Sequence, residues 1–130
     1  MLVRDVMTPA VLTVGPAHTV RQVAKQMAAR RVGAAVVHDP DSEGPGILTE
    51  RDVLEAVAAG QDLDSELASD HLTPDAVSGE PDWDLDKAAA AMVAGGFRHL
   101  VICDGPHVVG VLSVRDVVRV WSAERTGAGT

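Results

Sequence analysis

Two tetrapeptides carry the residues best suited to chemistry. Thr49-Glu50-Arg51-Asp52 and Ser113-Val114-Arg115-Asp116 each set a hydroxyl and a carboxylate three positions apart, with an arginine between them. Each ends an apolar run and opens a stretch of helical periodicity. That places backbone N–H groups, a hydroxyl and a guanidinium together at a helix N-terminus, where an anion is favoured. An aspartate one turn further on accepts from two vicinal hydroxyls, a charge-assisted contact worth about 1.5–3 kcal/mol when sheltered from water. Ribose plus phosphate satisfies both features. The same spacing also fits a capping box, in which hydroxyl and carboxylate serve the helix's own orphan donors and no ligand is required. Spacing alone leaves both roles open, and they are compatible: the hydroxyl caps the empty state and turns to a phosphate in the bound one.

The two tetrapeptides belong to a longer repetition. Gly46-Ile47-Leu48-Thr49-Glu50-Arg51-Asp52-Val53 returns as Gly110-Val111-Leu112-Ser113-Val114-Arg115-Asp116-Val117, and upstream Met7-Thr8-Pro9 returns as Leu72-Thr73-Pro74. The offset is 65 as far as Asp104 and 64 beyond it, so one loop gained or lost a residue. A duplicated supersecondary unit predicts a pseudo-twofold module with two related clefts between its halves. Each half alone, at about 60 residues, buries only roughly 60% of its unfolded surface, so a shared core is expected.

Each copy presents the same elements in the same order. Val20, Val23, Ala24 and Met27 recur at helical spacing between Pro16 and Ala29, as do Leu85, Ala88, Ala89, Met92 and Val93 in the second copy. Short strands are expected before these helices, near Val11 to Val14 and Ala76 to Ser78. Two hairpins follow, Ala34–Val37 with Gly46–Leu48 and Leu100–Cys103 with Val108–Leu112. Second helices come next, Asp52–Ala59 and Asp116–Trp121. The fold class is α/β of the α+β type, a β-α-β-β-α unit given twice. The expected divisions are 1–60 for the first repeat with a short N-terminal segment, 61–71 for a linker, 72–123 for the second repeat and 124–130 for a flexible tail. Val53, Val57, Val117, Val118, Val120 and Trp121 on the second helices exceed what a small interior needs, which predicts a homodimer.

Composition narrows the function. A formal net charge of −8 and three aromatics in 130 residues argue against nucleic acid as a partner. The N-terminus lacks the apolar run of a signal peptide and no stretch is long enough to span a bilayer, so a cytoplasmic location without membrane contact is expected. Cys103 is the sole cysteine and sits in an apolar run, where a buried strand residue is the expectation. The five histidines include no i, i+4 pair, and with one thiol there is no zinc pattern. No Gly-x-Ser-x-Gly, Walker-type loop or paired catalytic carboxylates occur, so neither metal nor catalysis is expected.

The doubled pattern, Met-Thr-Pro or Leu-Thr-Pro, a strand with a hydroxyl, an amphipathic helix, an apolar hairpin and then Gly-h-h-Thr/Ser-x-x-Asp with h apolar, resembles a tandem pair of CBS (cystathionine beta-synthase) domains, also called a Bateman module. The resemblance runs from Val6 to Ala123. It implies a regulatory, non-enzymatic module that binds an adenosyl effector (AMP, ADP, ATP, S-adenosylmethionine or NAD), senses energy state and signals to a separate effector protein. It implies no other cofactor. In one implied cleft, Asp116 holds the ribose hydroxyls beside Ser113, Val114 and Arg115, with Thr13 and Val32-Gly33-Ala34 from the first repeat and Arg98 or His99 on the phosphate. In the other, Asp52 works with Thr49 and Arg51, with Ser78 and Phe97-Arg98 from the second repeat. Glu50 puts an acid beside the phosphate of the second cleft, so the Asp116 cleft is expected to bind better. The competing expectation is a ligand-free dimerisation or docking scaffold.

Overall fold

A computed structural model of the chain describes residues 1–74 and 76–128. In chain order the elements are β1 (Thr13–Val14), α1 (Val20–Arg30), β2 (Ala34–Val37), β3 (Gly46–Thr49), α2 (Glu50–Ala58), β4 (Ser78–Gly79), α3 (Leu85–Gly95), β5 (His99–Asp104), β6 (His107–Ser113) and α4 (Val114–Ala128). The β-α-β-β-α order therefore occurs twice. Short 3-10 turns at Val3–Asp5 and Ala68–Asp70 precede the two copies.

Each copy builds one three-stranded sheet, ordered β1-β2-β3 in the first and β4-β5-β6 in the second. β1 runs parallel to β2, with Thr13 opposite Val36, and β2 is antiparallel to β3, with Ala34 opposite Thr49. Correspondingly, β4 is parallel to β5, with Ser78 opposite Val101, and β5 pairs antiparallel with β6 from His99↔Ser113 to Asp104↔His107. The second hairpin is longer because Gly105, at φ +58°, closes a tight turn that lets pairing continue to the tip. The first hairpin is opened instead by the acidic loop from His38 to Pro45.

Local chemistry sets the helix boundaries. α1 starts at Val20 rather than near Pro16 because Thr19 and Gln22 form a capping box: the Gln22 N–H donates to Thr19 Oγ1 at 3.1 Å and the Thr19 N–H to Gln22 Oε1 at 2.9 Å. Its C-terminal cap, Arg31, adopts the left-handed region at φ 56°, where the second copy has Gly96 at φ 70°. α4 continues to Ala128, into the segment read from sequence as a tail, whose last residues Gly129 and Thr130 lie outside the described residues.

The chain divides into two compact units that cut across the repeat. One comprises Val11–Ala76, the other Met1–Ala10 together with Val77–Thr130. Each has its own apolar cluster, which corrects the expectation of a shared core. Leu12, Val14, Val23, Met27, Ala35, Val37, Leu48 and Ala68 form one, and Val3, Leu85, Ala88, Met92, Leu100, Ile102, Leu112 and Val117 the other. A half is large enough for a core because a segment preceding the other copy completes it: Ala68 and Leu72 in the first unit, Val3 and Val6 in the second.

Those segments dock by the same bonds. The Val20 N–H donates to Glu66 O and the Leu85 N–H to Met1 O, both at 2.9 Å, so orphan donors at the starts of α1 and α3 are satisfied from outside their helices. The presumed linker is thus packed structure, with Ala68 fully buried and Arg21 ion-paired to Asp64. Thr73 then bridges Ile47 on β3, and Thr8 bridges Val111 on β6. This explains the glycine that opens each repeated octapeptide. A Cβ at Gly110 would lie 2.5 Å from Met7 Sδ and 3.1 Å from Thr8 O, and one at Gly46 would lie 3.0 Å from Leu72 Cδ1.

Candidate functional site: two matched strand-to-helix junctions

Thr49 and Ser113 are the last residues of β3 and β6, and the helices start at the next residue. A backbone carbonyl at the approach to the preceding strand holds each helix's first N–H: Glu50 N–H donates to Gly33 O, and Val114 N–H to Arg98 O, both at 2.9 Å. In both junctions the capping box is formed. The Asp52 N–H donates to Thr49 Oγ1 at 3.3 Å, while Asp52 Oδ2 accepts from the Thr49 N–H at 2.7 Å and from its hydroxyl at 3.1 Å. The Asp116 N–H donates to Ser113 Oγ and Asp116 Oδ2 accepts from the Ser113 N–H, both at 3.1 Å. These bonds keep each carboxylate folded back over its own helix start, and leave the second helical amide, that of Arg51 or Arg115, for an anion.

Within the first unit, Thr13 on β1, Val32, Gly33 and Ala34 at the start of β2, and Thr49, Arg51 and Asp52 come from adjacent strands and the helix that leaves them. Thr13 and Arg51 are exposed, Ala34 is buried, and Val32, Gly33, Thr49 and Asp52 are half-buried. The second unit likewise gathers Ser78 on β4, Phe97 and Arg98 before β5, His99 on it, and Ser113, Val114, Arg115 and Asp116. There Ser78, Arg98, Val114 and Arg115 are exposed, Phe97, His99 and Ser113 half-buried, and Asp116 buried.

Some expected side chains are engaged elsewhere. Arg51 Nε lies 3.3 Å from Glu55 Oε1, along the helix rather than toward its N-terminus. Ser78 makes a hydrogen bond with Cys103, which is half-buried on β5; burial pushes that thiol above its ordinary value, and the bond to Ser78 pulls it back. Sequence reading missed Arg119, whose Nη2 donates to Asp116 Oδ1 at 2.9 Å. An arginine three positions after an aspartate on one helix face is the signal that could have found it. Among the described residues no cluster of His, Cys, Asp or Glu could hold a metal ion, and no helix is long and apolar enough to cross a membrane.

The family model described as "CBS domain" matches this chain twice, over residues 3–59 and 68–123. The CBS domain-containing protein YhcV of Bacillus subtilis is 34% identical over 128 residues, 97% of this chain and 90% of that protein. The chain spans 57 to 90% of the length of the first curated relatives it matches. Among solved structures, the CBS domain protein PAE2072 from Pyrobaculum aerophilum, complexed with AMP, superposes with a TM-score of 0.80 at 30% identity, covering 89% of each chain. The CBS domain pair of protein MJ0100, in complex with 5′-methylthioadenosine and S-adenosyl-L-methionine, shares the fold at TM-score 0.85 and 19% identity, over 95% of this chain and 98% of that one.

Proposed function

We propose, from the premise that this chain belongs to the CBS domain family, that it is a non-catalytic regulatory module which binds an adenosyl ligand and passes the bound state to a separate effector protein in the cytoplasm. One observation carries the reading: a strand ending in a hydroxyl, followed three residues later by a carboxylate in the first turn of a helix, is built twice with the same bonds. Asp52 and Asp116 are the ribose acceptors. Thr49 and Ser113, with the Arg51 and Arg115 amides and the Arg115 side chain, face the phosphate, helped by Arg98 or His99. AMP in the relative from Pyrobaculum supports the ligand class, and a protein of the same fold binds methylthioadenosine and S-adenosylmethionine.

Thermal unfolding with AMP, ADP, ATP, S-adenosylmethionine and NAD tests this. A ligand at about 100 times its dissociation constant adds roughly 2.7 kcal/mol, several degrees for a chain of this size. A flat response to all five favours the ligand-free scaffold.

Association is the second part of the proposal. The expected apolar excess on the second helices is corrected in detail: Val117 is buried in the core of its unit with Val120 packed against that core, and Val53 packs against the core of the Val11–Ala76 unit. What stays exposed is Leu54 and Val57 on α2, and Val114, Val118 and Trp121 on α4. Homodimerisation that covers these residues lowers their cost in water. Sedimentation at tens of micromolar should show a dimer that Trp121→Asp weakens, and a monomeric parent protein would refute it.

A further inference from the structure

The two junctions differ where the repeated motif ends. Arg119 occupies the position in the second repeat that Glu55 holds in the first. Glu55 draws Arg51 along α2 and leaves Asp52 alone: Asp52 Oδ2 serves the cap, and its Oδ1 has no hydrogen-bond partner among the described residues. Arg119 does the opposite, because its guanidinium donates to Asp116 Oδ1 while Oδ2 accepts from the Ser113 N–H. Both oxygens of Asp116 are therefore in use, on a carboxylate whose side chain is 12% exposed. A vicinal diol can place its hydroxyls on the bare Oδ1 of Asp52, whose two lone pairs are both open, whereas on Asp116 each oxygen already holds one donor and the diol competes with the guanidinium at Oδ1.

We propose that Arg119 is a positioning residue that holds Asp116 against diols, so that the Asp52 junction fills first and the Asp116 junction only at higher ligand concentration. This rests on the adenosyl-binding reading and reverses the order expected from sequence. Glu50, the acid that counted against Asp52, is exposed, so water and salt screen its charge. The Arg119 side chain is 68% exposed, which makes the ion pair weak enough to be displaced.

The test uses adenosine, an uncharged probe with the ribose diol and no phosphate, titrated calorimetrically. In protein carrying Asp52→Ala only the Asp116 junction remains, and adding Arg119→Met should tighten binding roughly two- to five-fold, the value of a solvent-screened ion pair. Arg119→Gln should act in the same direction, and in an Asp116→Ala background neither change should alter affinity. Raising salt from about 0.05 to about 0.5 M should tighten adenosine binding at Asp116 when Arg119 is present and leave the Arg119→Met protein unchanged. Weaker binding after Arg119→Met would make the guanidinium a ligand contact, and unchanged binding would make it a bystander; either result overturns the inference while the adenosyl reading stands. If neither adenosine nor AMP, titrated in the same way, binds the parent protein or the Arg119→Met variant, the adenosyl reading falls and takes the inference with it.

Discussion

Val3→Asp should cost this fold about 3 kcal/mol or more, although the residue lies two positions from the start of the sequence given. Val3 is fully buried among Leu85, Met92, Leu100, Ile102 and Leu112, and its N–H donates to Trp83 O at 2.9 Å. The substitution forfeits the transfer energy of a buried valine, about 1.5–3 kcal/mol, and drives a carboxylate into the same apolar site. Against a total stability of about 5–15 kcal/mol, that is a large fraction. Val93→Asp on α3 is the control: Val93 is 82% exposed, and its replacement should stay within about 0.5 kcal/mol. Urea unfolding of the two variants compares them directly, and equal midpoints would refute the assignment of the N-terminal segment to a core.

The second large effect is on binding. Asp52→Ala should weaken the tighter phase of adenosyl binding about 10- to 150-fold, the loss of a charge-assisted contact of about 1.5–3 kcal/mol, and Asp116→Ala should remove the weaker phase. The double variant should bind no adenosyl ligand measurably. Each change also removes a carboxylate that serves a capping box, worth about 1 kcal/mol of folding stability. Affinity must therefore be read on protein shown by circular dichroism to be folded. Asp52→Asn separates the roles, since an amide oxygen still accepts from the Thr49 N–H but carries no charge for the diol. A double variant that binds like the parent protein would show that the carboxylates are caps and nothing else.

Much of the architecture was legible because a duplicated pattern tests itself. Helical spacing at Val20, Val23 and Met27 meant more once Leu85, Ala88 and Met92 repeated it, and all six are buried. The hairpins and the two junctions were legible for the same reason. What escaped was non-local. Periodicity reports which face of an element is apolar, not which distant segment covers it, so the docking of residues 1–10 and 66–74 could not be read from it. Gly46 and Gly110 stood out in the motif, but their cause, a threonine segment crossing the strand, lies far away in the chain, at Thr73 for Gly46 and at Thr8 for Gly110. At the site, two features of the surroundings were not legible from the motif. Glu50 was weighed by charge without regard to its exposure, and Arg119 was passed over because it falls just outside the repeated octapeptide.

The pairing of Thr8 with Val111 also has a consequence in time. A chain leaving the ribosome at about 5–20 residues per second presents Thr8 early and its partner roughly a hundred residues later, a wait of about 5–20 seconds. The unit Val11–Ala76 is contiguous, so all of its strands and its docking segment are in hand before the second repeat has been made. The first ten residues, with Val3 and Val6 among them, meanwhile have no apolar surface of their own unit to cover. Synthesis thus leaves an apolar N-terminal arm waiting, and the completion of β6 ends its exposure.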